Sequence, residues 1–97
     1  MTLQIRTSAR ADRQIATALA WSRHRDKAPE ALIEELERAK ALLAETPHIG
    51  ERVRRTRRRG ARVIHLKRVR YDLYYEVRRG AIVILALWHP SRLPPRL

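Results

Sequence analysis

The sequence predicts an α+β fold: an N-terminal strand, then a helical hairpin packed on one face of a small antiparallel β-sheet, in the order β-α-α-β-β-β. Three observations carry this. Residues 9–45 hold two stretches with apolar side chains at helical spacing, separated by Asp26-Lys27-Ala28-Pro29. Arg70-Tyr71-Asp72-Leu73-Tyr74-Tyr75-Glu76-Val77 alternates polar and apolar side chains, which suits a strand with one buried face. After Arg79-Gly80, a turn signal, comes the unbroken apolar run Ala81 to Trp88, the pattern of a strand buried on both faces.

Taken in order, Thr2 to Arg6 reads as a short strand with Leu3 and Ile5 on one side. Thr7-Ser8 offers an N-cap, and Asp12 lies early enough to favour the positive end of the helix dipole. Ala11, Ile15, Ala18, Leu19 and Ser22 then keep helical spacing, which predicts a helix over 9–24. Pro29 suits the first position of a second helix, whose stripe Leu32, Ile33, Leu36, Ala39, Leu43 runs to about Glu45. Glu34 and Arg38 are spaced for an i,i+4 ion pair on its outer side. Thr46-Pro47-His48-Ile49-Gly50 ends it.

Six arginines fall among residues 52–59, and their mutual repulsion predicts a loop. Arg62 to Arg68 reads as a strand with Ile64 and Leu66 inward, so that His65 and Lys67 share the opposite face. In the hairpin strand, Tyr71, Leu73, Tyr75 and Val77 point to the core, and Tyr74 points away as a stacking candidate. The proline-rich tail, 90–97, cannot extend the sheet. Residues 1–97 are read as a single domain.

Composition excludes several function classes. The chain has no cysteine, so neither a disulfide framework nor a thiolate zinc site is open to it. Its four histidines and ten carboxylates show no metal-ligand spacing. No glycine-rich phosphate loop or nucleophile motif occurs, so no metal, cofactor or small-molecule cofactor partner is expected. The longest apolar run is far short of the ~20 residues needed to cross a bilayer, and the first residues lack a signal-peptide core. The expected location is the cytoplasm, with no membrane partner.

Charge is the informative quantity. The net charge is +12, and it is segregated. Residues 1–50 hold eight basic and seven acidic side chains, whereas residues 51–97 hold fourteen and three. A positive C-terminal half favours an anionic partner, either nucleic acid or an acidic protein segment. The candidate contacts are Arg54, Arg57, Arg58, Arg62, Lys67, Arg70 and Arg92, since guanidinium groups bind phosphate bidentately. His65, Lys67, His89 and Arg92 are the candidates for catalysis: cleavage of RNA through its 2′-OH needs a base, an acid and a phosphate clamp. The plain alternative is a solvated basic surface.

Three stretches, in order and at the right spacing, resemble the RelE/ParE superfamily of bacterial toxins. They are Thr7-Ser8-Ala9 leading into a helix with Asp12 and Ile15, the Arg70–Val77 strand, and Val83 to Trp88 followed by His89-Pro90-Ser91-Arg92. The resemblance covers the whole chain. It implies the toxin of a type II toxin–antitoxin module, associated with growth arrest and plasmid stabilisation and neutralised by a cognate antitoxin. One branch of the superfamily cleaves mRNA on the ribosome, and the other inhibits DNA gyrase. Asp72 stands where ribonucleases of this kind carry arginine, and no tyrosine follows Tyr75. The "H-x-x-R" ending is also more typical of the ParE-like side. The expectation is therefore a non-enzymatic, ParE-like gyrase inhibitor. Two alternatives are a RelE-like ribosome-dependent mRNA endoribonuclease and a non-toxic nucleic-acid-binding module. The antitoxin is expected as a helix along Leu32, Leu36 and Leu43, or as a strand added to a sheet edge. Trp88 is taken as a further antitoxin contact.

Overall fold

The computed structural model describes residues 2–24, 29–54 and 56–97. The predicted break at Asp26-Lys27-Ala28, and Arg55 of the arginine run, lie outside the described residues. Strand β1 (Gln4–Thr7) leads into helix α1 (Ala9–His24), and helix α2 (Pro29–Glu45) follows. A two-residue strand β2 (Glu51–Arg52) precedes β3 (Arg62–Leu66), β4 (Tyr71–Arg78) and β5 (Ala81–Trp88). The α+β architecture and element order agree with the prediction.

Local chemistry sets the helix boundaries. The Ser8 hydroxyl accepts the Ala11 N–H at 3.1 Å, so Ser8 is the N-cap of α1. At the far end of α2 the Thr46 hydroxyl donates to the Leu42 carbonyl at 2.7 Å, satisfying a last-turn acceptor. One predicted pair shifts: Arg38 reaches Glu35 at 2.9 Å, while Glu34 turns outward to Arg68 at 3.0 Å.

The strand order is β1-β5-β4-β3-β2. The sheet is mixed rather than purely antiparallel, because β1 pairs parallel with β5, Gln4 opposite Ala81 through Thr7 opposite Ile84. β2 adds a short antiparallel pair on the outer edge of β3, inside the segment expected to be loop. Both helices pack on one face, where Leu32, Leu36 and Leu43 meet Leu66, Leu73, Tyr75, Ile82 and Ile84.

A bulge explains how β5 is apolar along its whole length. Tyr74 pairs with Ala86 and Tyr75 with Ile84, which leaves Leu85 as the extra residue. Ile84 and Leu87 then face the helices, while Leu85 and Ala86 join Ala61 and Tyr74 in a second cluster on the open face. Leu97 packs against this second cluster. The tail is not free: the Trp88 indole N–H donates to the Leu93 carbonyl at 2.7 Å, and Arg58 Nε donates to the Leu97 carbonyl at 2.8 Å. Arg10 also donates to the Arg96 carbonyl.

Candidate functional site

The β3–β4 turn positions the first half of the site. The Leu66 carbonyl accepts the N–H groups of Val69 and Arg70, at 3.2 and 2.8 Å, and Arg70 adopts φ 59° to close the turn. That geometry sets His65 opposite Asp72. Their side chains meet on the open face, with His65 Nδ1 at 2.6 Å from Asp72 Oδ1. The Asp72 carboxylate can only accept, so the proton of this bond sits on His65 Nδ1, and in the neutral ring Nε2 keeps its lone pair.

The exit of β5 supplies the second half. His89-Pro90-Ser91-Arg92 forms a turn in which the Arg92 N–H donates to the His89 carbonyl at 3.1 Å. The turn folds Ser91 back under the His89 ring: the Ser91 N–H donates to His89 Nδ1 at 3.2 Å, and the Ser91 hydroxyl lies 2.7 Å from the same nitrogen. A backbone N–H can only donate, so His89 Nδ1 is the acceptor and the ring proton resides on Nε2. Tyr71 fixes the ring from the side, edge to face with centroids 5.8 Å apart. Burial pushes the Tyr71 hydroxyl above its ordinary pKa.

Between these halves lies an open cleft of about 540 Å³, lined by His65, Lys67, Arg70, Asp72 and His89, with Leu66, Tyr71, Pro90 and Ser91. Lys67 and Arg70 are exposed on its rim. Asp72 is the one acidic group in the lining, and its carboxylate is hydrogen-bonded to His65. A second cleft, of about 640 Å³, lies between α1 and the β5 exit, and the two share Tyr71, His89 and Ser91.

The predicted site residues separate into groups. His65, Lys67, Arg70 and His89 come together in the first cleft. Arg92 lines the second instead, its guanidinium 3.9 Å from the centre of the Trp88 ring. Arg54 and Arg57 are exposed in the β2–β3 segment, which joins β3 at the end opposite Lys67 and Arg70. Arg58 and Arg62 are committed to the fold. Arg58 reaches the buried Glu76 at 2.9 Å, and Arg62 donates to the carbonyls of Gly50 and His48 at 2.8 and 3.1 Å.

Two further expectations are corrected, and the remaining candidate antitoxin contact, Trp88, is placed. Leu32, Leu36 and Leu43 are at most 4% exposed and form the interior, so they present no surface to an antitoxin helix. Truncating them would open cavities costing about 2–5 kcal/mol each. Tyr74 is too buried to stack a base, and burial, with the Asp72 charge behind it, raises its pKa. Trp88 is half-buried, its N–H spent on Leu93 and its ring held beside Arg92 and Arg10.

Sequence reasoning missed Ser91, which sets the His89 tautomer, and the role of Asp72 as the partner of His65. It missed Glu76 as well, a buried carboxylate holding Arg58 and Arg78. The signal for Asp72 lies in the register: residues 65 and 72 face each other once Lys67 to Arg70 is taken as a four-residue turn. Among the described residues, no three His, Cys, Asp or Glu side chains gather as metal ligands would.

The chain is a small α+β protein, a helical hairpin on a five-stranded mixed sheet with basic and histidine side chains gathered at one sheet end. The chain belongs to the family described as "ParE toxin of type II toxin-antitoxin system, parDE", whose model matches residues 5–94. Among curated proteins none matches it. The RelE/ParE resemblance and the toxin role therefore stand, and membership of such a module implies an antitoxin partner. No helix among the described residues is long and apolar enough to cross a membrane.

Proposed function

We propose that the chain arrests growth as a ParE-like toxin acting on DNA gyrase in the cytoplasm, and that its cognate antitoxin neutralises it through an acidic segment. The observation that carries this reading is the state of the open sheet face. Asp72, Tyr74 and Glu76 run along it; Glu76 holds Arg58 and Arg78, and Leu97 lies over Tyr74 and Leu85. A ribonuclease that laid an RNA backbone across this face would need free cations in its middle. Here the middle is apolar or already paired. Arg54, Arg57, Lys67, Arg70 and Arg92 remain exposed for the target. The sheet edges, β1 on one side and the short β2 with the rest of β3 on the other, are the places for an added antitoxin strand.

The ribosome-dependent mRNA endoribonuclease is the second reading, and one observation favours it: His65, Lys67 and His89 line a single cleft. In that role His65 Nε2 takes the proton of a ribose 2′-OH and His89 Nε2–H protonates the leaving oxygen. Controlled induction in a bacterial host, with pulse-labelled DNA and protein synthesis followed in one culture, separates the two. DNA synthesis stopping first, with translation continuing, is the expected result. Translation collapsing first would replace it with the ribonuclease. If neither falls, the fold serves as a nucleic-acid-binding module without toxicity.

A further inference from the structure

We infer that the cleft between the β3–β4 turn and the β5 exit is a binding site for a phosphate monoester, the terminal phosphate of a nucleotide or of a nucleic-acid strand. The ring protons decide what the cleft can hold. Asp72 fixes the His65 proton on Nδ1 at 2.6 Å, so neutral His65 turns an acceptor, Nε2, away from Asp72. The Ser91 N–H fixes the opposite tautomer on His89, whose Nε2 is a donor. Both rings line one cleft, and Lys67 and Arg70 add two cations.

One acceptor, one donor and two cations match a particular ligand. A phosphate monoester has a second pKa of about 6, so near neutral pH it carries or readily regains one P–OH. That hydroxyl donates to His65 Nε2. The remaining oxygens accept from His89 Nε2–H, Lys67 and Arg70. The dianion carries one more negative charge than a diester and is held correspondingly more strongly by Lys67, Arg70 and His89 Nε2–H. A phosphodiester has no P–OH. Opposite the neutral ring it places an oxygen lone pair against the lone pair of Nε2, and it brings a single negative charge to Lys67 and Arg70. The site therefore selects monoester over diester.

The surrounding charges agree with this. From the turn come Lys67 and Arg70, from β4 Asp72 and the neutral Tyr71, and from the β5 exit His89. Arg68, next to them in sequence, is drawn away to Glu34 and Glu35 of α2, at 3.0 and 3.5 Å. Leu66, Tyr71 and Pro90 give the attached sugar an apolar wall. The ribonuclease reading would hold a diester in this same cleft, so selection of a monoester counts against that reading as well, whereas failure of the site would leave the toxin role intact.

The test is titration calorimetry of the full chain at pH 7 with adenosine 5′-monophosphate and with the dinucleoside monophosphate ApA, which has only a diester. The monophosphate should bind about tenfold or more tighter, the worth of one charge-assisted hydrogen bond. Asp72→Asn, which frees the His65 tautomer, should reduce the preference to about threefold or less, whereas Lys40→Ala on α2 should leave it unchanged. Equal affinity for both ligands at pH 7 would overturn the proposal. A measurement on the unaltered chain guards against variants that misfold: long-range ¹H–¹⁵N spectra should show His65 protonated on Nδ1 and His89 on Nε2, with both rings shifting on addition of the monophosphate. The reverse tautomers, or shifts confined to the arginine loop, would sink it equally. A 5′-phosphorylated oligonucleotide beside its unphosphorylated twin then assigns the source. Tighter binding of the phosphorylated strand than of the free nucleotide identifies a strand end, and no gain over the free nucleotide identifies the nucleotide itself.

Discussion

Tyr75 ties the interior of the sheet to the segment that follows α2. Its ring is wholly buried, and its hydroxyl accepts the Gly50 N–H at 2.9 Å. A Cβ on Gly50 would come within 2.7 Å of that hydroxyl and 2.9 Å of the Val63 carbonyl, so the close approach demands glycine. Tyr75→Phe keeps the ring and strands a buried N–H, which should cost about 1–3 kcal/mol in urea denaturation. The same burial raises the Tyr75 pKa above its ordinary 10.0, and Tyr71 and Tyr74 shift the same way. The sign follows from proton counts: between the unfolded and folded values the native state holds more protons. Stability is therefore whole below pH 10 and falls as pH climbs towards the folded pKa values. Denaturation midpoints from pH 8 to 11 should be level and then decline, less steeply in Tyr75→Phe. A level curve to pH 11 would refute the assignment.

The β4–β5 hairpin rests on a two-residue turn in which Arg79 has φ 48° and Gly80 φ 73°, both in the left-handed region. Two positive φ values in succession suit the twist of the flanking strands, and Asn-Gly is the pair that adopts them at least cost. Arg79→Asn should stabilise by a few tenths to about 1 kcal/mol. Gly80→Ala should cost about 1 kcal/mol, and the cost is conformational, since nothing lies within 4 Å of the added Cβ. Denaturation curves of the two variants must move in opposite directions, and movement in the same direction would contradict the turn. This hairpin is legible in the sequence because everything that specifies it is local. The helices are legible for the same reason, down to Ser8 and Pro29. What escapes is non-local: the parallel pairing of β1 with β5, the bulge at Leu85, and the return of the tail across Tyr74. The site divides along the same line. The convergence of His65, Lys67 and His89 follows from strand order, but the proton positions depend on Asp72 and Ser91, which only register and turn geometry reveal. Periodicity shows that Leu32, Leu36 and Leu43 are covered; whether the chain or a partner covers them, it does not encode.

For the molecule as a whole, the charge of +12 on 97 residues sets a repulsion that its ion pairs do little to offset. Among the described residues, most pairs are exposed, as with Arg38–Glu35 and Arg68–Glu34, and such pairs contribute ~0–1 kcal/mol. Glu76 is the exception, one buried carboxylate holding Arg58 and Arg78. Its neighbours beyond that pairing, along 51–97, are overwhelmingly basic. Screening should then favour the folded chain. At low ionic strength the Debye length is about 30 Å, comparable with the molecule's 38 × 30 × 23 Å extents, so every cation senses the others. Near 0.15 M it falls to about 8 Å, and repulsion across the molecule is lost while close pairs survive. Raising sodium chloride from about 10 to 150 mM should therefore raise the melting temperature, by roughly 4–8 °C for each kcal/mol of repulsion removed. Circular dichroism melts across that range provide the check. A fall in Tm would mean that the ion pairs outweigh the repulsion, and that the excess arginine is held apart by the fold more effectively than its number implies.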